Sequence, residues 1–404
     1  MEEILLGLDV GTTKICALVG EVREGQLRII GMGIQPSRGM RKGMVIDVSE
    51  ASIAIARAIE SAERTSGYDL SQALVSMAGE HISCVNNSGV VAIGRDGNGV
   101  SVQDIEHALD VAQAIPLPHN RQIVHMIPRS YLVDDQTDVR NPIGMHGFRL
   151  EVEAHLITAA APALKNLSQC VDNVGVRAEE LVLNALASAE SVLEPAEREM
   201  GVIVADIGGG TTDLALYMEG NVWHTKVIPV GGYHITNDIA IGMRAPYEVA
   251  DRVKIRYGDC RPDEIDATFT FTVDAFNETI QVGRQELAQV IEARVDEIFQ
   301  LILQEIRQSG YDGLLPAGIV LTGGSAQLRG IAQIAERVLN VPARVAGPKN
   351  VVGMVDPLQS PAYATSVGLL RWAMSGHNVY RPRQRLPNVW SQRMRGVFKA
   401  LLPG

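Results

Sequence analysis

Cysteine is sparse in this 404-residue chain: Cys16, Cys84, Cys170 and Cys260 lie far apart, with no Cys-x-x-Cys spacing to clamp zinc or form a redox pair. Scattered buried thiols in a reducing compartment are expected. No apolar run approaches the length needed to span a membrane as a helix. The opening Met-Glu-Glu lacks the basic start and apolar core of a signal peptide, which predicts a cytoplasmic chain. A basic surplus is missing too. With 47 acidic residues against 36 Lys and Arg, the net charge of −11 argues against a general nucleic-acid binder.

What is present is a folded, multidomain composition: 46% hydrophobic and 21% charged residues, and a length that at about 150 residues per domain predicts two to four domains. Three apolar runs, Ile4 to Leu8, Ile15 to Gly20 and Leu27 to Ile34, read as a β-meander. A helix over 50–65 and a buried strand from Ala73 to Ala78 follow. Residues 81–158 change texture. A strand (Ile82 to Ile93), a helix (Val102 to Ala114, capped by Ser101) and two strands (Gln122 to Val133, Phe148 to Thr158) suggest an inserted subdomain. Helices are expected over 162–175 and 179–193.

A second meander then repeats the layout of the first: Val202 to Ala205, Asp213 to Met218 and Val222 to Val230. This internal echo predicts an α/β protein of two related halves rather than a solenoid. The apolar stripe of Leu287, Ile291, Val295, Ile298, Ile302 and Ile306 predicts a long helix over 285–307. A buried strand, Ala317 to Leu321, leads to Thr322-Gly323-Gly324-Ser325 and an expected helix through Leu339.

Three strand ends carry the chemistry. In Asp9-Val10-Gly11-Thr12-Thr13-Lys14 a buried strand ends in a carboxylate, and the turn offers N–H groups and hydroxyls to an anion. Asp206-Ile207-Gly208-Gly209-Gly210-Thr211-Thr212-Asp213 repeats that pattern with three consecutive glycines, costly unless something must approach the backbone closely. Gly323, Gly324 and Ser325 end a third strand and open a helix, where an exposed N-terminus and missing Cβ atoms would let a base or phosphate pack on the backbone. Together the three predict a nucleotide in a cleft between the halves.

These motifs resemble the two phosphate loops and the adenosine loop of the actin, Hsp70 and sugar-kinase superfamily. Within it, Thr225-Lys226-Val227-Ile228-Pro229 with Gly231-Gly232, the stretch from Val320 to Gln327, and Tyr363 to Leu370 resemble the FtsA family of bacterial cell division. The resemblance implies ATP with Mg2+, the metal held through water by Asp9 and Asp206 and the outer phosphates near Lys14. It implies actin-like duplicated domains with an inserted strand-helix-strand-strand subdomain. The first core would take residues 1–80 and 159–200, the insertion 81–158, the second core 201–240 and 309–375, and a smaller insertion 241–308. Implied partners are further copies in a filament, the tubulin-like division protein FtsZ, received within 241–308, and other division proteins. Asn184 departs from the family pattern, in which a longer Glu or Gln positions the attacking water, and this implies slow or absent turnover.

Residues 376–404 carry the basic residues Arg381, Arg383, Arg385, Arg393, Arg395 and Lys399 and no acidic one. Pro382 and Pro387 mark the first part as a linker. Trp390, Met394, Val397, Phe398 and Leu401 then share one helical face, with Arg and Lys on its flanks, the profile of a helix lying on an anionic membrane surface. The family resemblance implies such a terminal anchor and a peripheral place on the cytoplasmic face of the membrane. A PilM-like platform protein of pilus assembly is the alternative reading, and it would lack this segment.

Overall fold

The computed structural model describes residues 3–94, 99–276, 278–354 and 356–375. In the first half, β1 (Glu3–Val10), β2 (Lys14–Arg23) and β3 (Gln26–Pro36) form the antiparallel meander. A small hairpin, β4 (Met40–Arg41) and β5 (Met44–Val45), precedes α1 (Val48–Ser66), β6 (Gln72–Met77) and β7 (Ile82–Ala92). Asp47 caps α1 by accepting from the Glu50 N–H, and Gly67 ends it in the left-handed conformation. Next come α2 (Val102–Gln113), β8 (Arg121–Val133), β9 (Gln136–Val139), β10 (Arg149–Ala160), α3 (Ala161–Asp172), β11 (Arg177–Leu183), α4 (Asn184–Val192) and α5 (Pro195–Met200).

The second half holds β12 (Val202–Ile207), β13 (Thr212–Met218), β14 (Asn221–Ile228), α6 (Gly232–Met243) and α7 (Tyr247–Tyr257). A hairpin of β15 (Thr270–Asp274) and β16 (Thr279–Gly283) leads into the long α8 (Arg284–Ser309). The described chain closes with β17 (Ile319–Thr322), α9 (Ile331–Leu339), β18 (Ala343–Val345), β19 (Val352–Gly353) and α10 (Ala364–Met374).

The two main sheets share one topology. The first runs β11-β6-β1-β2-β3, with β19 added at the β3 edge, and the second runs β18-β17-β12-β13-β14. In each, an antiparallel meander extends one way from the first strand and two parallel strands extend the other way. Strand β12 is buried throughout. Its Val202 and Val204 face the core of the first half, and Ile203, Ala205 and Ile207 face that of the second. The stripe of α8, from Leu287 to Ile306, fills that second core.

The inserted sheet, β7-β10-β8-β9, has its own core against α2. The Ser101 cap forms a full capping box with Asp104. The insertion has one strand more than expected, the short β9 paired to β8. Two further expectations are corrected. Residues 179–183 are the end of β11, paired in parallel to β6, and the helix begins only at Asn184. An apolar Leu-Val-Leu run fits either element, and the edge of the first sheet decides it. After Gly323 the chain makes only a short 3-10 turn, Gly324–Gln327, so the glycines do not open an α-helix. The sequence-predicted amphipathic helix, with Trp390, Met394, Val397, Phe398 and Leu401, lies outside the described residues.

Candidate nucleotide site

The three strand ends meet in one cleft of about 570 Å³. It is lined by Asp9, Gly11, Thr12, Thr13 and Lys14 from the first turn, by Asp206, Gly208, Gly209, Gly210, Thr211 and Asp213 from the second, and by Gly323, Gly324 and Ser325 from the third. Thr212 is the exception. It begins β13 on the face opposite Asp213, is fully buried, and donates its hydroxyl to the Val230 carbonyl at 2.8 Å.

Each turn is closed by its own backbone: Gly11 N–H donates to the Lys14 carbonyl at 3.0 Å, and Gly208 N–H to the Thr211 carbonyl at 2.9 Å. The turns then approach each other so closely that side chains would not fit. A Cβ on Gly209 would lie 2.1 Å from Thr13 Oγ1, and one on Gly210 would lie 2.8 Å from Thr12 Oγ1. Gly323 has φ +86°, and a Cβ there would lie 2.4 Å from Asp206 Oδ1. Tyr233 locks the two halves, donating its hydroxyl to the Thr12 carbonyl at 3.1 Å and its N–H to the Gly209 carbonyl at 2.7 Å. Ser325 Oγ donates to the Gly208 carbonyl at 3.0 Å.

Asp9 and Asp206 are both buried and held by hydroxyls. Asp9 accepts from Ser76 at 3.1 Å and from Ser366 at 2.7 Å, and Asp206 accepts from Ser188 at 2.5 Å and Thr365 at 2.7 Å. Burial raises the Asp206 carboxyl above its ordinary range, opposed by the two hydroxyls and reinforced by the charge of Asp9. Asp213 is raised further, by burial and then by the charge of Asp206, although Thr211 donates to it at 2.8 Å. Lys14 reaches across the cleft mouth, donating to the Ala362 carbonyl with its ammonium 4.9 Å from the Tyr363 ring.

Two buried oxygens lining this cleft, Asp213 Oδ1 and Asn184 Oδ1, have no hydrogen-bond partner. Buried polar atoms are normally satisfied, so orphaned oxygens beside three carboxylates fit a hydrated cation. Asn184 stands at the first position of α4, at the cleft wall.

The cleft also extends past the residues that the sequence motifs mark. Tyr233, Asp251, Lys254, Ile255, Leu328 and Arg329 line it as well. Lys254 donates to Asp251 at 2.7 Å and to Thr236 at 2.6 Å. The glycines before Tyr233 were a signal, whereas nothing in the spacing of α7 singles out Asp251 and Lys254.

Comparison with known proteins follows the same lines. A family model described as cell division protein FtsA matches residues 203–368, and one described as the SHS2 domain inserted in FtsA matches residues 79–158. The cell division protein FtsA of Pseudomonas aeruginosa is 43% identical over 375 residues, 92% of this chain and 89% of that one. Among solved structures, the PilM-PilN type IV pilus biogenesis complex has a TM-score of 0.67 at 18% identity, covering 93% of this chain and 98% of that one. MreB 5 of Spiroplasma citri bound to AMPPNP has a TM-score of 0.53 at 15% identity, covering 92% and 96%. These structural likenesses show the actin-like fold and no more. By sequence over nine-tenths of its length, the chain belongs to the FtsA family of cell division proteins.

Proposed function

We propose that the chain binds magnesium-ATP in the cleft between its two halves, assembles with copies of itself, and ties FtsZ to the cytoplasmic face of the membrane through residues 389–402. The observation that carries the nucleotide part is the convergence of three glycine turns on buried Asp9, Asp206 and Asp213, with two oxygens left unpaired. When bound, magnesium would neutralise phosphate charge. Asp9 and Asp206 would hold its water shell, the turns around Gly11 and Gly209 would present N–H groups to phosphate oxygens, and Lys14 would swing from Ala362 to add positive charge. Gly323, Gly324 and Ser325 would seat the nucleoside, with Lys254 and Arg329 beside it.

Asn184 is an amide and takes no proton at neutral pH, so it orients water without activating it, and the protein acts as a slow ATPase at most. Calorimetry with magnesium-ATP tests the site: Asp9→Ala and Asp206→Ala should each weaken binding at least about a hundredfold, about 2.8 kcal/mol. Wild-type affinity in both variants contradicts it.

The membrane part rests on the sequence of the tail. Five apolar side chains at about 1.5–3 kcal/mol each set its upper limit. Ordering a short helix and immobilising it on a surface reduce that figure, so one tail binds reversibly and a polymer of many binds stably. Residues 241–308 are proposed as the face offered to FtsZ. Over the described residues no helix is long and apolar enough to cross a membrane, which suits a peripheral attachment. The PilM-like alternative rests on shared fold alone, and the tail and the sequence identity both favour the division protein.

A further inference from the structure

Where the inserted sheet meets the second half, a cluster of titratable groups lies outside the nucleotide cleft. Cys84 of β7 places its Sγ 3.7 Å from His224 Nδ1 and 3.1 Å from the Thr225 carbonyl, both on β14. His224 Nε2 is 2.9 Å from Glu305 Oε1 of α8, and the other oxygen of Glu305 is 2.8 Å from Lys226 Nζ. His155 of β10 completes the cluster, its Nε2 3.0 Å from Thr225 Oγ1 and its Nδ1 2.6 Å from Asn86 Oδ1. The order is thiol, imidazole, carboxylate. That is the arrangement by which a base takes a proton from a nucleophile while a third group orients the base. Helix α2 covers the opposite face of β7, at Asn87 and Gly89, and leaves this cluster alone.

Two effects oppose ionisation of the thiol: half-burial, and the Thr225 carbonyl, which favours a sulfur that still carries its proton. Against them, His224 is held ready for a proton by Glu305, and its cation would lie beside the sulfur. The balance goes to the histidines. Burial alone would raise the Cys84 thiol, but the imidazoles of His155 and His224 beside it bring it down to about 5. His224 is raised despite its own burial, by Cys84 and Glu305. The other three thiols go the opposite way, Cys16 and Cys260 to about 12 and Cys170 upward, each chiefly through burial.

We propose that Cys84 is a modification site, a thiol that gives its proton to His224 Nδ1 and reacts with peroxides and soft carbon electrophiles while Cys16, Cys170 and Cys260 stay inert. With hydrogen peroxide, the thiolate attacks one oxygen, an S–O bond forms and the O–O bond breaks. Sulfur is oxidised by two electrons to the sulfenic acid, and the departing hydroxide takes the proton from His224 as water. The sulfur lies on the seam between β7 and β14, so an adduct lands on the seat of the inserted sheet.

The test is a timed reaction of the intact full chain with iodoacetamide from pH 5 to 9, each cysteine followed by peptide mass spectrometry. At pH 6.5 Cys84 should label at least about tenfold faster than the other three, with a midpoint below 7. A brief peroxide pulse should leave a dimedone-reactive sulfenic acid on Cys84 alone. His224→Gln should move the midpoint toward the free-thiol value of about 8.5. If that variant also exposes Cys16, showing a loosened fold, Glu305→Gln decides instead: it keeps the imidazole and should raise the midpoint by a smaller step. Labelling of Cys84 no faster than Cys16, or a midpoint near 8.5 in the unaltered chain, overturns the proposal.

Discussion

Asp213 shows what a carboxylate buried in the cleft costs the fold. Its carboxyl is buried next to Asp206, one oxygen accepts from Thr211, and the other has no partner. Its raised pKa means that the folded chain binds this proton more tightly than the unfolded chain does. Its contribution to stability is then greatest below the ordinary carboxylate range and is lost as pH rises through the raised value. Asp213→Asn removes the charge and should stabilise the nucleotide-free protein more at pH 7.5 than at pH 5, as urea midpoints at the two pH values would show. An equal effect at both contradicts the assignment. Asn184 belongs to the same scale. Its short amide leaves Oδ1 unpaired at the cleft wall, and wild-type turnover should stay below about one ATP per second. Asn184→Gln reaches further and should raise the turnover seen in a phosphate-release assay. The loop residues were legible in sequence because glycine, threonine and aspartate carry their turn chemistry locally. Asp251, Lys254 and Arg329 were not, since only tertiary packing carries them to the cleft. Thr212 was misplaced for a simple reason: in a strand, neighbours face opposite ways, and Asp213 takes the cleft side.

Among elements, the meanders, the inserted sheet and the long stripe of α8 were readable because each repeats one periodicity over many residues. The junction at 179–193 was not. Its apolar residues serve a strand up to Leu183 and a helix from Asn184, and only pairing to β6 separates the two. That helix, α4, supplies Ser188 to Asp206, and α10 supplies Thr365 to Asp206 and Ser366 to Asp9, so the packing of α4 on α10 sets the carboxylates. Gly368 permits the contact, since a Cβ there would lie 1.8 Å from the Ala187 carbonyl. Gly368→Ala should therefore destabilise the protein by about 1–3 kcal/mol, the usual range for overpacking. It should also weaken magnesium-ATP binding by moving the hydroxyls that hold Asp9 and Asp206. A chemical-denaturation midpoint unchanged from wild type would show that the two helices can part without cost.

At the scale of the whole molecule, two sheets of one topology enclose the cleft, and the sequence beyond α10 is basic, with apolar residues at helical spacing from Trp390 to Leu401. Removing residues 389–404 touches none of the three turns, so nucleotide binding should survive while membrane recruitment is lost. Trp390→Glu or Phe398→Glu should do nearly the same, because a carboxylate on the apolar face opposes both insertion and attraction to anionic lipid. Salt should weaken the intact chain only in part, since its apolar contribution is not screened. The most direct measurement is flotation of FtsZ with anionic liposomes in the presence of magnesium-ATP, using the full chain and the chain ending at Asn388. FtsZ should float with the full chain and stay in the soluble fraction with the shortened one. FtsZ floating equally well with both would contradict the tail's role as the anchor.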